Sequence, residues 1–111
     1  AAWKDSYDRM RKLLAGPGVE EKQVQGPMGP MALEVMSGRM SSLDVLVHTW
    51  DLARAVGGDE TLDQDAVGHA FEGLKPMDGM IRRPGVMEAK VESASGADLQ
   101  TQFLNFCGRA V

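Results

Sequence analysis

The spacing of apolar residues between positions 31 and 56 constrains this chain most. Met36, Met40, Leu43, Val47 and Trp50 recur three or four residues apart, and Leu46 and Ala53 widen the same stripe. That period belongs to a helix with one face turned inward, and a strand cannot satisfy it. The pattern runs to Val56, where Gly57-Gly58 stops it. Gly38 lies inside it, at a cost of about 1 kcal/mol relative to Ala. Ser41-Ser42 offers an alternative start for a fresh helix, with Asp44 in its first turn. The whole chain has 111 residues, which allows one small domain over 1–111.

Shorter helices flank this stretch. Trp3, Tyr7, Met10 and Leu14 share one face of a helix over about 1–15, closed by Gly16-Pro17-Gly18. Residues 19–30 read as irregular. Val19 and Val24 are the candidates for a short strand there, and Gly26-Pro27-Met28-Gly29-Pro30 forms a turn-rich loop. Thr61 or Asp63 caps a further helix that carries Val67, Ala70, Phe71 and Leu74 inward. Pro76 kinks or restarts it, and Met77, Met80 and Ile81 continue an apolar face. Val86 to Val91 is a weak strand candidate. After Ser95-Gly96, a last short helix turns Leu99, Phe103, Phe106 and Cys107 inward. The expected fold is mostly α, with one short β-hairpin.

Composition narrows the function. Eight Met and only 5% aromatic residues suggest a small core built from Met and Ala. The single Cys excludes an intramolecular disulfide and a Cys-only zinc site. No apolar run approaches the roughly 20 residues of a membrane span. The net charge of −4 and the lack of a basic stripe argue against nucleic acid as a partner. Arg82-Arg83 reads as a positive helix C-terminus. The chain opens on Ala1-Ala2-Trp3 with no signal-peptide pattern, which suggests a cytoplasmic, trimmed or partial chain.

The chemistry sits on the central helix. Asp44 and His48 are four apart and stand one turn above each other. A carboxylate and an imidazole so placed can reach one divalent cation, with zinc, nickel, iron and manganese the suitable metals. A plain hydrogen bond from His48 to Asp44 is the competing account. The pair is embedded in apolar sequence, so a pair pointing into a bundle needs a compensating partner. Asp51 and Arg54, three apart, suggest an ion pair on the other side of the helix. His69 reads as a partly exposed helix residue and Cys107 as a buried, inert thiol. No residue is assigned a catalytic role.

The string Asp44-Val-Leu-Val-His48-Thr-Trp50-Asp51-Leu-Ala-Arg54-Ala-Val-Gly57 resembles the signature of DinB-like proteins related to the N-terminal domain of mycothiol-dependent maleylpyruvate isomerase, a largely actinobacterial group. Leu62-Asp63, Ile81-Arg82-Arg83-Pro84-Gly85-Val86, Gly96-Ala97-Asp98-Leu99 through Phe103-Leu104, and Gly108-Arg109 extend the likeness. Ala2-Trp3 and the Met28-Gly29 loop fit it loosely. The resemblance implies a four-helix bundle holding one divalent metal, with Asp44 and His48 as two of three ligands. It further implies a low-molecular-weight thiol such as mycothiol, activated by that metal.

The helices that would precede Trp3 and carry the third ligand, a His, have no counterpart here. His69 lies after the signature and does not replace it. The chain then reads as a fragment, as a short member completed by a second copy, or as a scaffold that has lost its metal. An uncovered Met36–Trp50 stripe would drive homodimer formation. Three functions follow: a thiol-dependent transferase or isomerase relative, a non-catalytic helical homodimer acting as a binding module, or a small-molecule pocket lined by Met and Trp50.

Overall fold

The computed structural model of the chain describes residues 1–26 and 29–111. Contacts gather them into two compact units, Ala1–Met40 and Ser41–Val111. Among these residues no helix is long and apolar enough to cross a membrane.

The first unit opens with helix α1 (Ala2–Leu14), which buries none of its residues. Its apolar stripe is the expected one, and it faces outward. Trp3 stacks on Tyr7 with ring centroids 5.6 Å apart, and Arg11 lies over the Tyr7 ring. Val19 starts a short 3-10 turn, Val19–Glu21, instead of a strand. Strands β1 (Gln23–Gly26) and β2 (Gly29–Ala32) then pair antiparallel, with Val24 opposite Met31 and Gly26 opposite Gly29. The expected loop at Gly26–Pro30 is thus largely strand at its flanks, while Pro27 and Met28 lie outside the described residues. Pro30 has no N–H to give, which a two-stranded ribbon tolerates because both strands are edges.

Helix α2 (Leu33–Val56) is continuous, so Ser41-Ser42 does not restart it. In the second unit it ends as the glycines require. Gly57 takes φ +68°, and the amide of Gly58 donates to the Ala53 carbonyl at 2.7 Å. Asp63, not Thr61, caps α3 (Gln64–Leu74) by accepting the Ala66 amide at 2.8 Å. Pro76 sits in a 3-10 turn, after which α4 (Asp78–Ile81) adds one further turn. Helix α5 (Leu99–Phe106) is capped by Asp98 through the Thr101 amide at 2.8 Å.

The core of this unit joins Leu46, Val47 and Trp50 of α2 to Leu62, Val67, Phe71, Leu74, Ile81, Phe103, Leu104 and Cys107. Phe71 meets Phe103 and Phe106 edge-on, at 6.0 and 5.3 Å. Two expectations need correcting. Among the described residues the buried set contains no Met, and Met77 and Met87 only pack against it. The C-terminal half of the α2 stripe is not bare, because α3 and α5 supply apolar partners from the same chain.

Val86–Val91 forms no strand. Its backbone is satisfied from elsewhere: the Val91 amide donates to the Asn105 carbonyl at 2.8 Å. Arg82 binds the Asp78 carboxylate and the carbonyls of Glu88 and Phe106. Arg82 is therefore a clamp as well as a helix-end cation. At the last helix, Leu99 is exposed, and Leu104, which the spacing passed over, is fully buried.

Candidate metal centre

Asp44 and His48 stand on the outward face of α2. Their side chains are 75% and 62% exposed, and His48 Nε2 lies 3.4 Å from Asp44 Oδ1. The expectation that the pair points into a bundle is not met within the described residues. Leu46, Val47 and Trp50 take the core side of the helix, and Asp44 and His48, one turn apart from each other, share a strip away from it.

That outward face is not wholly polar. Val45 and Leu52 are each 64% exposed and Val56 is 71% exposed. They lie on the same side of α2 as Asp44 and His48.

The other nitrogen of His48 is engaged. Nδ1 lies 3.1 Å from Asp51 Oδ2. A carboxylate only accepts, so a hydrogen bond there requires a proton on Nδ1, and one to Asp44 would likewise require a proton on Nε2. Asp51 is held in turn by Arg109, which donates Nε to Oδ1 at 3.2 Å and Nη2 to Oδ2 at 2.8 Å. The Arg109 bonds and charge hold the Asp51 carboxyl below the usual carboxylate range, with His48 adding to the effect. Asp51 also keeps the Arg109 guanidinium protonated above its ordinary value.

Asp51 does not pair with Arg54. Arg54 donates to the Glu60 carboxylate at 3.3 Å and to the Ala110 carbonyl at 2.8 Å. Its guanidinium lies 4.4 Å from the Trp50 ring centroid. The helical spacing of Asp51 and Arg54 permitted a bond, but each found a partner fixed by the fold. Spacing on one helix could not reveal Arg109, which reaches Asp51 from beyond α5.

The fit to a cation can be judged on the pair itself. Two ligands each about 2.1 Å from a tetrahedral zinc are separated by about 3.4 Å, which matches the observed Nε2 to Oδ1 distance of 3.4 Å. The donor set, one imidazole nitrogen and one carboxylate oxygen, suits zinc, nickel, iron or manganese. Among the described residues no set of three or more His, Cys, Asp or Glu side chains is arranged to hold one ion.

The remaining candidates stand apart from this face. His69 is exposed, and its Nδ1 donates to the Asp65 carbonyl at 2.7 Å. Cys107 is fully buried. Burial pushes its thiol up to about 11, against a smaller opposing pull from Arg109 and Arg82. A thiol so raised is a poor nucleophile at neutral pH. Trp50 is packed in the core, 3% exposed. No protein-family model, no curated protein and no solved structure matches this chain.

Proposed function

We propose that the outward face of α2 is half of a divalent-cation site, completed when a second copy of the chain covers it. Asp44 and His48 bind a zinc, nickel, iron or manganese ion, and the same pair of a two-fold related copy supplies the remaining ligands. The observation that carries this reading is the 3.4 Å between His48 Nε2 and Asp44 Oδ1, with the ring's other nitrogen, Nδ1, 3.1 Å from Asp51 Oδ2. A lone pair facing a carboxylate at that distance calls for a positive species between them, either a proton or a metal ion. The exposed Val45, Leu52 and Val56 beside the pair support a face made to be covered.

The family reading of the sequence extends this to a DinB-like bundle and to thiol-dependent transferase or isomerase chemistry. When bound, the cation would lower the pKa of a coordinated low-molecular-weight thiol and present it as thiolate. The chain's own residues would hold the ion and exclude water from one side. A second reading, a non-catalytic helical homodimer, draws on the exposed Val45, Leu52 and Val56 alone. In that case the apolar face associates and the pair binds no metal.

Calorimetric titration of the metal-free chain with zinc or nickel tests the proposal. The expected stoichiometry is near one ion per two chains. His48→Ala and Asp44→Ala should each weaken binding by more than the roughly 10- to 100-fold that loss of an outer-sphere partner costs. Association without uptake of either metal would leave the non-catalytic dimer as the correct account. Binding that survives both substitutions would place the cation elsewhere.

A further inference from the structure

We propose that Asp51, clamped by Arg109, is a positioning residue for His48: it fixes the imidazole with its proton on Nδ1 and directs Nε2 toward Asp44. What that Nε2 then binds rests on the proposed cation site, whereas the tautomer does not.

A helix-surface histidine is ordinarily free to rotate and to exchange its proton between the two ring nitrogens. His48 meets the nearer of its two carboxylates one turn further along α2, with Nδ1 at 3.1 Å from Asp51 Oδ2 against 3.4 Å from Nε2 to Asp44 Oδ1. Asp51 could swing away if it were itself loose. It is not, because the Arg109 fork engages both of its oxygens, at 3.2 and 2.8 Å. Such paired bonds fix direction as well as distance.

Arg109 is anchored by the end of α5. Its Nη1 donates to the Cys107 carbonyl at 2.8 Å, and its amide donates to the Leu104 carbonyl at 2.9 Å. Leu104 and Cys107 are both fully buried, so the anchor belongs to the rigid core. Between them and Arg109 the chain turns at Gly108, which takes φ +84°. A Cβ there would stand 3.0 Å from Glu88 Cβ and 3.1 Å from the Ala89 carbonyl oxygen. The turn that aims Arg109 therefore needs glycine on two counts, conformation and space.

A chain of fixed groups thus runs from the core through Arg109 and Asp51 to the exposed ring of His48. Asp44 faces the ring's other nitrogen. A metal-ligating histidine commonly donates its second ring N–H to a carboxylate in this way, which sets both tautomer and ring orientation. A merely structural Asp51–Arg109 pair would tie α5 to α2 without affecting the His48 ring.

Long-range proton–nitrogen correlation spectra of the nitrogen-15-labelled, metal-free chain at pH about 8.5, where an imidazole is neutral, separate these cases. The wild-type His48 should show its proton on Nδ1. Asp51→Ala should shift it toward Nε2 and weaken zinc binding roughly 10- to 100-fold. Asp51→Asn keeps an accepting oxygen at the same place and should restore much of the Nδ1 form. Arg109→Ala keeps the Asp51 carboxylate in the chain but frees it to swing, and should loosen the preference. His69, bonded to a backbone carbonyl, should not change in any variant.

A wild-type His48 protonated on Nε2, or a tautomer unmoved by both Asp51→Ala and Arg109→Ala, overturns the proposal. The wild-type spectrum decides the first point even where a variant fails to fold. An Nδ1 proton that responds to these substitutions in a chain that takes up no zinc upholds the positioning and rejects the cation reading alone.

Discussion

Asp51 gathers more of this molecule's electrostatics than any other single side chain on α2. It accepts two bonds from Arg109 and one from His48, and its pKa is depressed chiefly by the Arg109 hydrogen bonds. The consequence for stability has a definite sign. Because the folded value lies below the unfolded value of 3.8, the contribution is fully present above that value. It is lost as pH falls through the folded value. The pair is partly exposed, so solvent screening holds its worth to on the order of 1 kcal/mol. Asp51→Asn should therefore be less stable than wild type by about that amount at pH 6 to 7. Urea unfolding at a series of pH values should show the two proteins converging as the pH falls below 3.8 and through the lowered folded value. A constant gap across that range would deny Asp51 its charge-dependent role. Asp78, lowered by Lys90 and Arg82, and Asp59, lowered by the Thr61 amide, act in the same direction.

At the scale of elements, the helices were legible wherever local chemistry and periodicity agreed. Gly57 and Gly58 mark the end of α2, and Asp63 and Asp98 mark the starts of α3 and α5. Those signals are local: an acceptor three residues before a free amide, or a residue able to take positive φ. What stayed hidden depended on distant partners. Val86–Val91 has strand-like composition, yet Arg82 and the end of α5 satisfy its backbone instead. The outward aim of Asp44 and His48 was hidden because apolar residues surround them on every side in the sequence. Only the competition between Val47–Trp50 and Val45–Leu52 for the core decided it. The Asp63 cap gives a direct test of the local logic. Asp63→Ala should cost about 1 kcal/mol in urea unfolding. Asp65→Ala, in the same first turn but without a capping bond, should cost only a few tenths through the helix dipole. Equal losses would show that charge, and not the bond to the Ala66 amide, is what starts α3.

At the scale of the molecule, exposed apolar residues distinguish two faces. On α1 they are Trp3, Tyr7, Met10 and Leu14, and on the outward side of α2 they are Val45, Leu52 and Val56. The expected association stripe, Met36 to Trp50, is instead divided. Its Val47–Trp50 end lies in the core, while Met40 is exposed. The opposite face of α2, the one that bears Asp44 and His48, is the surface proposed to join two copies. Association through it has a consequence that internal packing would not produce. Val45 and Leu52 already stand in water, so Val45→Ser and Leu52→Ser together should change the unfolding free energy of a single chain by little, about 0.5 kcal/mol for each site. The same pair of changes should abolish self-association, because removing apolar area from an interface removes its main driving force. Sedimentation equilibrium should therefore find twice the 12.0 kDa chain mass for wild type and the single-chain mass for the double variant, with zinc uptake weakened in parallel. A wild type that sediments as one chain at every concentration, or a double variant that still pairs, would remove α2 as the joining surface and the shared cation site with it.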